Sequence, residues 1–104
     1  MAGKIKPAVT WSPNASADLA GITTYLESEW TNKTISAFLA RLENLIERIQ
    51  SFPAIGRKSA SRRNVHLVLL EPHHQVVYKY FPRKKVIAIL QVWDTRQDPR
   101  KRKG

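Results

Sequence analysis

Between Val86 and Trp93 the chain reads Val-Ile-Ala-Ile-Leu-Gln-Val-Trp, an apolar run broken only by Gln91. A continuous apolar run this short, rich in β-branched side chains, reads as a buried strand and not as a helix. Both faces of such a strand are expected to be covered, which places it in the middle of a sheet. The character then flips within one residue. Asp94-Thr95-Arg96 leaves the core, Asp98-Pro99 turns the chain, and Arg100-Lys101-Arg102-Lys103 carries it into solvent. A rigid strand that delivers a charged cluster to its own end can hold a site in place.

The elements before it follow from pattern and punctuation. Ile5 to Trp11 reads as a first strand, and Pro7, which lacks a backbone donor, belongs at an edge or near the strand start. Ser12-Pro13 opens a helix, because serine is a favoured N-cap and proline is preorganised for the first helical position. Ala15, Leu19, Ile22 and Leu26 continue it as a stripe, weakened by Gly21, to about Trp30. Thr31-Asn32 connects to a second helix. Its face of Ile35, Phe38, Leu39, Leu42, Leu45, Ile46 and Ile49 is the cleanest periodic signal in the chain. So short a connection forces an antiparallel hairpin. Phe52-Pro53 ends the second helix. Ala54 to Arg63 reads as a basic loop and Val65 to Leu70 as a strand. Glu71 to Gln75 is a turn, Val76 to Phe81 a third strand, and Pro82-Arg83-Lys84 the turn into Val86. The expected fold class is α+β: an N-terminal strand, then an antiparallel helical hairpin packed on a twisted antiparallel sheet with a C-terminal three-strand meander.

With 104 residues, the chain is read as one domain over 1–104, with 1–4 and about 100–104 flexible. It contains no cysteine, so neither a disulfide framework nor a thiolate chemistry is available. No apolar run approaches the roughly 18 residues of a membrane span, and no signal-peptide pattern opens the chain. The expectation is a cytoplasmic protein without a membrane partner. The net charge of +10 is unevenly placed: residues 1–52 hold equal numbers of acidic and basic side chains, and all the excess lies in residues 53–104. Such asymmetry points to a polyanionic or strongly acidic partner on one side of the fold.

The ordered set of a first strand ending Trp11-Ser12-Pro13, two amphipathic helices, Phe52-Pro53-Ala54-Ile55-Gly56-Arg57, and three strands ending Asp94-Thr95-Arg96-Gln97-Asp98-Pro99 resembles the RelE/ParE superfamily of type II toxin–antitoxin toxins. The resemblance covers Trp11 to about Lys101. It implies a small α+β toxin of a plasmid-stabilisation-type system, neutralised by a cognate antitoxin with an acidic or amphipathic C-terminal segment. Two activities share the fold. RelE-like members are ribosome-dependent endoribonucleases that cut messenger RNA, and ParE-like members inhibit DNA gyrase. Fold alone does not choose between them. The long helical hairpin is more typical of the ParE-like branch.

Metal-free RNA cleavage needs a base, an acid and cations around the phosphate. The resemblance offers Arg62, Arg63, Tyr78, Lys79 and Arg96 for those roles if the chain is an endoribonuclease. The position that carries a histidine in some RNA-cutting relatives is Asp94 here. Aspartate is a poor acid at neutral pH, and beside Arg96 it reads better as an ion pair or turn cap. His73-His74 fall in a predicted turn and His66 in a strand, and none has the spacing of a metal ligand set. No cofactor or metal is implied. Tyr78 and Tyr80 fall on one strand face and Val77 and Lys79 on the other, and the tyrosines read as core. Target or antitoxin binding is assigned to Trp30, Arg62, Arg63, Arg96, Arg100 and Lys101, with Trp30 and Tyr25 at the margin of the first helical stripe. The ParE-like gyrase inhibitor is the reading adopted. The alternatives are the RelE-like endoribonuclease and a non-toxic basic nucleic-acid-binding module.

Overall fold

The computed structural model describes residues 6–29, 32–70 and 73–95. Trp30, Arg96, Arg100, Lys101 and the expected flexible ends lie outside them. The elements run β1 (Ala8–Trp11), α1 (Pro13–Glu29), α2 (Asn32–Ser51), β2 (Arg57–Lys58), β3 (Val65–Leu70), β4 (His74–Phe81) and β5 (Val86–Asp94). They form one sheet of order β1-β5-β4-β3-β2, with the helices on one face. The α+β class and the C-terminal meander are therefore those expected. The sheet is mixed, however, since β1 runs parallel to β5. Two helices and three strands lie between those strands in sequence, and parallel pairing requires a long connection in place of a tight turn.

β5 is interior, flanked by β1 and β4. Its two faces are not equally covered. Ile87, Ile89 and Val92 are buried against the helices, while Val86, Ala88, Gln91 and Trp93 are only half-buried. The apolar run thus reflects one buried face and one partly open one. Asp94 is still in the strand, opposite His74, so β5 extends a residue further than its apolar run.

The start of α1 shows how the chain solves two problems with one side chain. Ser12 Oγ accepts from Ala15 N–H at 3.0 Å, the N-cap bond, and donates to Leu90 O at 3.0 Å. Leu90 is displaced from the ladder by a bulge: Tyr78 pairs with Ile89 and Val77 with Gln91, leaving Leu90 between them. Beyond Ile89, β1 has ended and offers β5 no further strand partner. Val92 N–H is satisfied instead by Asp18 Oδ2 of α1 at 3.0 Å. Replacing Asp18 with alanine orphans that amide and is expected to cost about 1–3 kcal/mol in urea unfolding, with Asp18→Asn recovering most of it.

α2 supplies Phe38, Leu42, Leu45 and Ile49 to the core. They meet Leu70, Val76, Tyr78, Ile87, Ile89 and Val92 of the sheet, with Ala15 from α1. Leu39 of the expected stripe is 40% exposed. Pro7 sits one residue before β1, where its missing donor costs nothing. Its carbonyl accepts from Gln50 Nε2 at 2.9 Å, tying the end of α2 to the sheet edge.

Candidate functional site at the basic end of the sheet

The segment Ala54–Arg63, expected as a basic loop, contains β2. Arg57 and Lys58 pair with Leu67 and His66 of β3. This short pairing is held by a buried clasp. Tyr78 Oη donates to Pro53 O at 2.7 Å and accepts from Gly56 N–H at 3.1 Å. His66 Nδ1 lies 3.1 Å from Gly56 O, and its ring stacks on Tyr78 with centroids 5.3 Å apart. A Cβ on Gly56 would lie 2.9 Å from Leu67 O and 3.1 Å from both His66 Cβ and Tyr78 Oη, so only glycine fits this approach. Further on, Ser59 Oγ accepts from the backbone N–H groups of Ser61 and Arg62 at 3.3 and 3.2 Å, and Ser59 N–H donates to Val65 O at 2.8 Å. The arginines at 62 and 63 are thereby carried on an ordered backbone and not on a slack loop.

The clasp engages the Tyr78 hydroxyl as both donor and acceptor. The Tyr78 ring is fully buried on the helix-facing side of β4. Burial pushes its phenol above the ordinary tyrosine value, and the hydrogen bond from Gly56 pulls it partly back. The neutral form is the one the fold holds. Its contribution is intact below the ordinary value of 10.0 and is lost as pH rises through the higher folded value. Tyr78→Phe removes the donor to Pro53 and the acceptor for Gly56. It is expected to cost about 1–2 kcal/mol and to speed hydrogen exchange at the Gly56 amide, which NMR can follow.

Lys79 points to the opposite face of β4, opposite Val65 at the start of β3. The structure thus brings Arg62, Arg63 and Lys79 to one end of the sheet and separates Tyr78 from them by the thickness of the strand. Lys79 Nζ lies 5.1 Å from the centroid of Phe81, and Lys84 Nζ lies 5.8 Å from it. His66, expected in a strand, is 7% exposed and belongs to the clasp. His74, expected in a turn, is the first residue of β4, with its ring edge-on to Phe38 at 5.1 Å. Among the described residues no group of His, Cys, Asp or Glu is placed to hold a metal ion, and no helix is long and apolar enough to cross a membrane. Tyr25 is 55% exposed on α1. Sequence reasoning passed over Arg57-Lys58 and the Arg83-Lys84-Lys85 turn. Their density of charge was the available signal, and only the strand order shows that they share an end.

A helical hairpin on such a sheet is the fold that the resemblance to the type II toxin–antitoxin toxins implies. Residues 9–99 match the family model described as ParE toxin of type II toxin-antitoxin system, parDE, and the chain belongs to that family. No curated protein sequence matches it. Among solved structures it is similar to a chain of the chromosomal ParDE system from P. aeruginosa, with a TM-score of 0.67 and 22% identity over 86% of this chain and 96% of that one. It is also similar to a chain of the intact E. coli RelBE toxin–antitoxin complex, with a TM-score of 0.62 and 12% identity over 88% of this chain and 99% of that one. A third likeness is to YoeB from Staphylococcus aureus, with a TM-score of 0.59 and 17% identity over 84% and 94% of the two chains. At these identities the likenesses speak for the fold.

Proposed function

We propose that this protein is the toxin of a parDE-type pair, that it inhibits DNA gyrase, and that a cognate antitoxin neutralises it. The observation that carries the choice of target is the clasp. Of the five residues considered for RNA cleavage, Tyr78 has its hydroxyl bonded to Pro53 and Gly56 on the helix side of the sheet. Arg62, Arg63 and Lys79 supply cations for a phosphate but no imidazole or carboxyl to act as acid or base, and Arg96 lies outside the described residues. Asp94 stands where some RNA-cutting relatives carry a histidine, and a carboxylate is a poor acid there. The family match over residues 9–99 supports the same reading.

The antitoxin side rests on charge and exposed apolar surface. An acidic, amphipathic segment gains from the net charge of +10 in both steering and affinity. Such a segment can lie along the hairpin, where Tyr25 and Leu39 are exposed, and reach the basic end. Arg62 and Arg63 then serve antitoxin or target binding, as do Trp30, Arg96, Arg100 and Lys101.

Purified toxin is expected to block supercoiling by gyrase, with activity restored by stoichiometric antitoxin. Primer extension on translated messages after induction supplies the opposing arm. New message ends within codons, with gyrase unaffected at excess toxin, would replace this reading by the endoribonuclease one. Gyrase and messages both intact, with no growth defect on expression, would leave the plain binding module.

A further inference from the structure

The strand order gathers more cations at one end of the sheet than the site above uses. β5 begins at Val86 directly after Arg83, Lys84 and Lys85, and β4 ends beside them at Phe81. Val65 of β3 pairs with Lys79, and Asn64 O accepts from Tyr80 N–H at 3.1 Å, so Arg62 and Arg63 enter at the same end. Lys58 of β2, opposite His66, completes the row. Four neighbouring strand ends at about 4.8 Å spacing span about 14 Å. That equals roughly four base pairs of axial rise in a duplex, at about 3.4 Å each. The only acidic residue between positions 53 and 93 is Glu71, which lies outside the described residues.

We propose that this ridge of Lys58, Arg62, Arg63, Arg83, Lys84 and Lys85 binds the phosphate backbone of duplex DNA. Three observations select that partner. First, the side chains between the cations are Ser59, Ala60, Ser61, Asn64 and Pro82. A protein partner is anchored by an apolar or aromatic patch depleted of charge; these small and polar groups do not make one, so an antitoxin segment that reaches Arg62 and Arg63 takes its anchor from the hairpin, where Tyr25 and Leu39 are exposed. Phosphates need only cations, hydroxyls and backbone N–H groups.

Second, single-stranded nucleic acid is held by stacking bases on open aromatic rings. At this end of the sheet, among the described residues, Tyr80 packs against the core and Phe81 is half-buried with two lysine ammonium groups over its ring. The ridge offers point charges and no stacking platform, which fits a duplex exterior. Third, the turn keeps a lysine where the backbone favours glycine. Lys85 has φ of 54°, in the left-handed region, and its N–H bonds Pro82 O at 3.3 Å. The turn thus carries a positive charge at a position whose conformation works against it.

The inference goes beyond gyrase inhibition, because it assigns DNA contact to the toxin by itself. It is tested by fluorescence anisotropy with the full-length toxin, a labelled 24-base-pair duplex and no gyrase, between 50 and 200 mM salt. Affinity is expected to fall steeply with salt, with a log–log slope of about −0.9 per phosphate neutralised. The variant R83Q/K84Q/K85Q, checked for an unchanged thermal midpoint, should bind at least tenfold more weakly at the low-salt end and lose about 2–3 from the magnitude of that slope. R62Q/R63Q supplies an independent second variant with the same direction of change.

Unchanged affinity and slope in both variants would overturn the proposal. Tighter binding to a single-stranded 24-mer than to the duplex would overturn the choice of duplex. Variants that bind duplex normally but lose antitoxin or gyrase would show that the ridge serves a protein partner, again against it. Normal ridge-dependent DNA binding by a toxin that leaves gyrase unaffected would support the proposal while removing the target proposed above.

Discussion

Phe38→Ala is expected to unfold a large part of the population at physiological temperature. The ring is 2% exposed, lies in the core with Leu42, Leu45 and Ile49 from its own helix, and meets His74 edge-on at 5.1 Å. Removing it forfeits the burial of an aromatic side chain and leaves a cavity that two helices and a sheet cannot readily close. The cost of such a truncation is about 3–5 kcal/mol. A domain of this size holds only about 5–15 kcal/mol in all. Each kcal/mol moves the midpoint of thermal unfolding by about 4–8 °C, so calorimetry should record a drop of at least about 12 °C. A shift of a few degrees would mean that the helical hairpin packs on the sheet differently from the arrangement described.

Gly56→Ala is expected to cost about 3 kcal/mol, from overpacking and from the two hydrogen bonds the residue makes. The added methyl meets Leu67 O at 2.9 Å, a backbone atom that cannot swing aside. Either β2 leaves β3 or the Tyr78 hydroxyl leaves Pro53 and Gly56. Both routes release the backbone that carries Lys58, Arg62 and Arg63. The variant should therefore lose antitoxin binding in calorimetry by more than its loss of stability explains, even at temperatures where circular dichroism shows it folded. Full stability with unchanged binding would show that the clasp does not order the basic segment.

These two residues also mark how much could be read from the chain. Phe38 announces itself, since a stripe recurring from Ile35 to Ile49 has few interpretations other than a helix lying on a core. Ser12-Pro13 likewise specifies a helix start through local chemistry, and Ser12 makes the expected cap. Gly56 is different. Its necessity comes from Tyr78 and Leu67, which reach it only when β3 and β4 are paired, and no local pattern encodes that approach. β2 has two residues, too few to show a period. The parallel placement of β1 beside β5 depends on long-range pairing across 78 positions, which neither strand records by itself.

The candidate site divides along the same line. The charge of residues 53–104 was legible as a total, and it pointed to an anionic partner. Its grouping was not, because Arg62 and Lys84 come to the same end of the sheet only through the order β5-β4-β3-β2. The alternation that separates Tyr78 from Lys79 was legible from the two-residue period of a strand. What the alternation could not supply was the use of the Tyr78 hydroxyl, whose partners lie in a segment more than twenty positions earlier. Trp30, Arg96, Arg100 and Lys101 keep their assigned binding roles as proposals.

The proposed target is gyrase, reached through binding and without RNA cleavage. The most direct test is cleavage of plasmid DNA by purified gyrase in the presence of the toxin, with protein removed by detergent and protease before electrophoresis. The account predicts linear, gyrase-cleaved DNA that rises with toxin concentration and disappears when the antitoxin is added first. It predicts the same yield from Tyr78→Phe at a temperature where that variant is folded, because the Tyr78 hydroxyl is taken up by Pro53 and Gly56. Intact supercoiled product at excess toxin, together with toxin-dependent cuts in ribosome-bound messages that vanish in Tyr78→Phe, would contradict it.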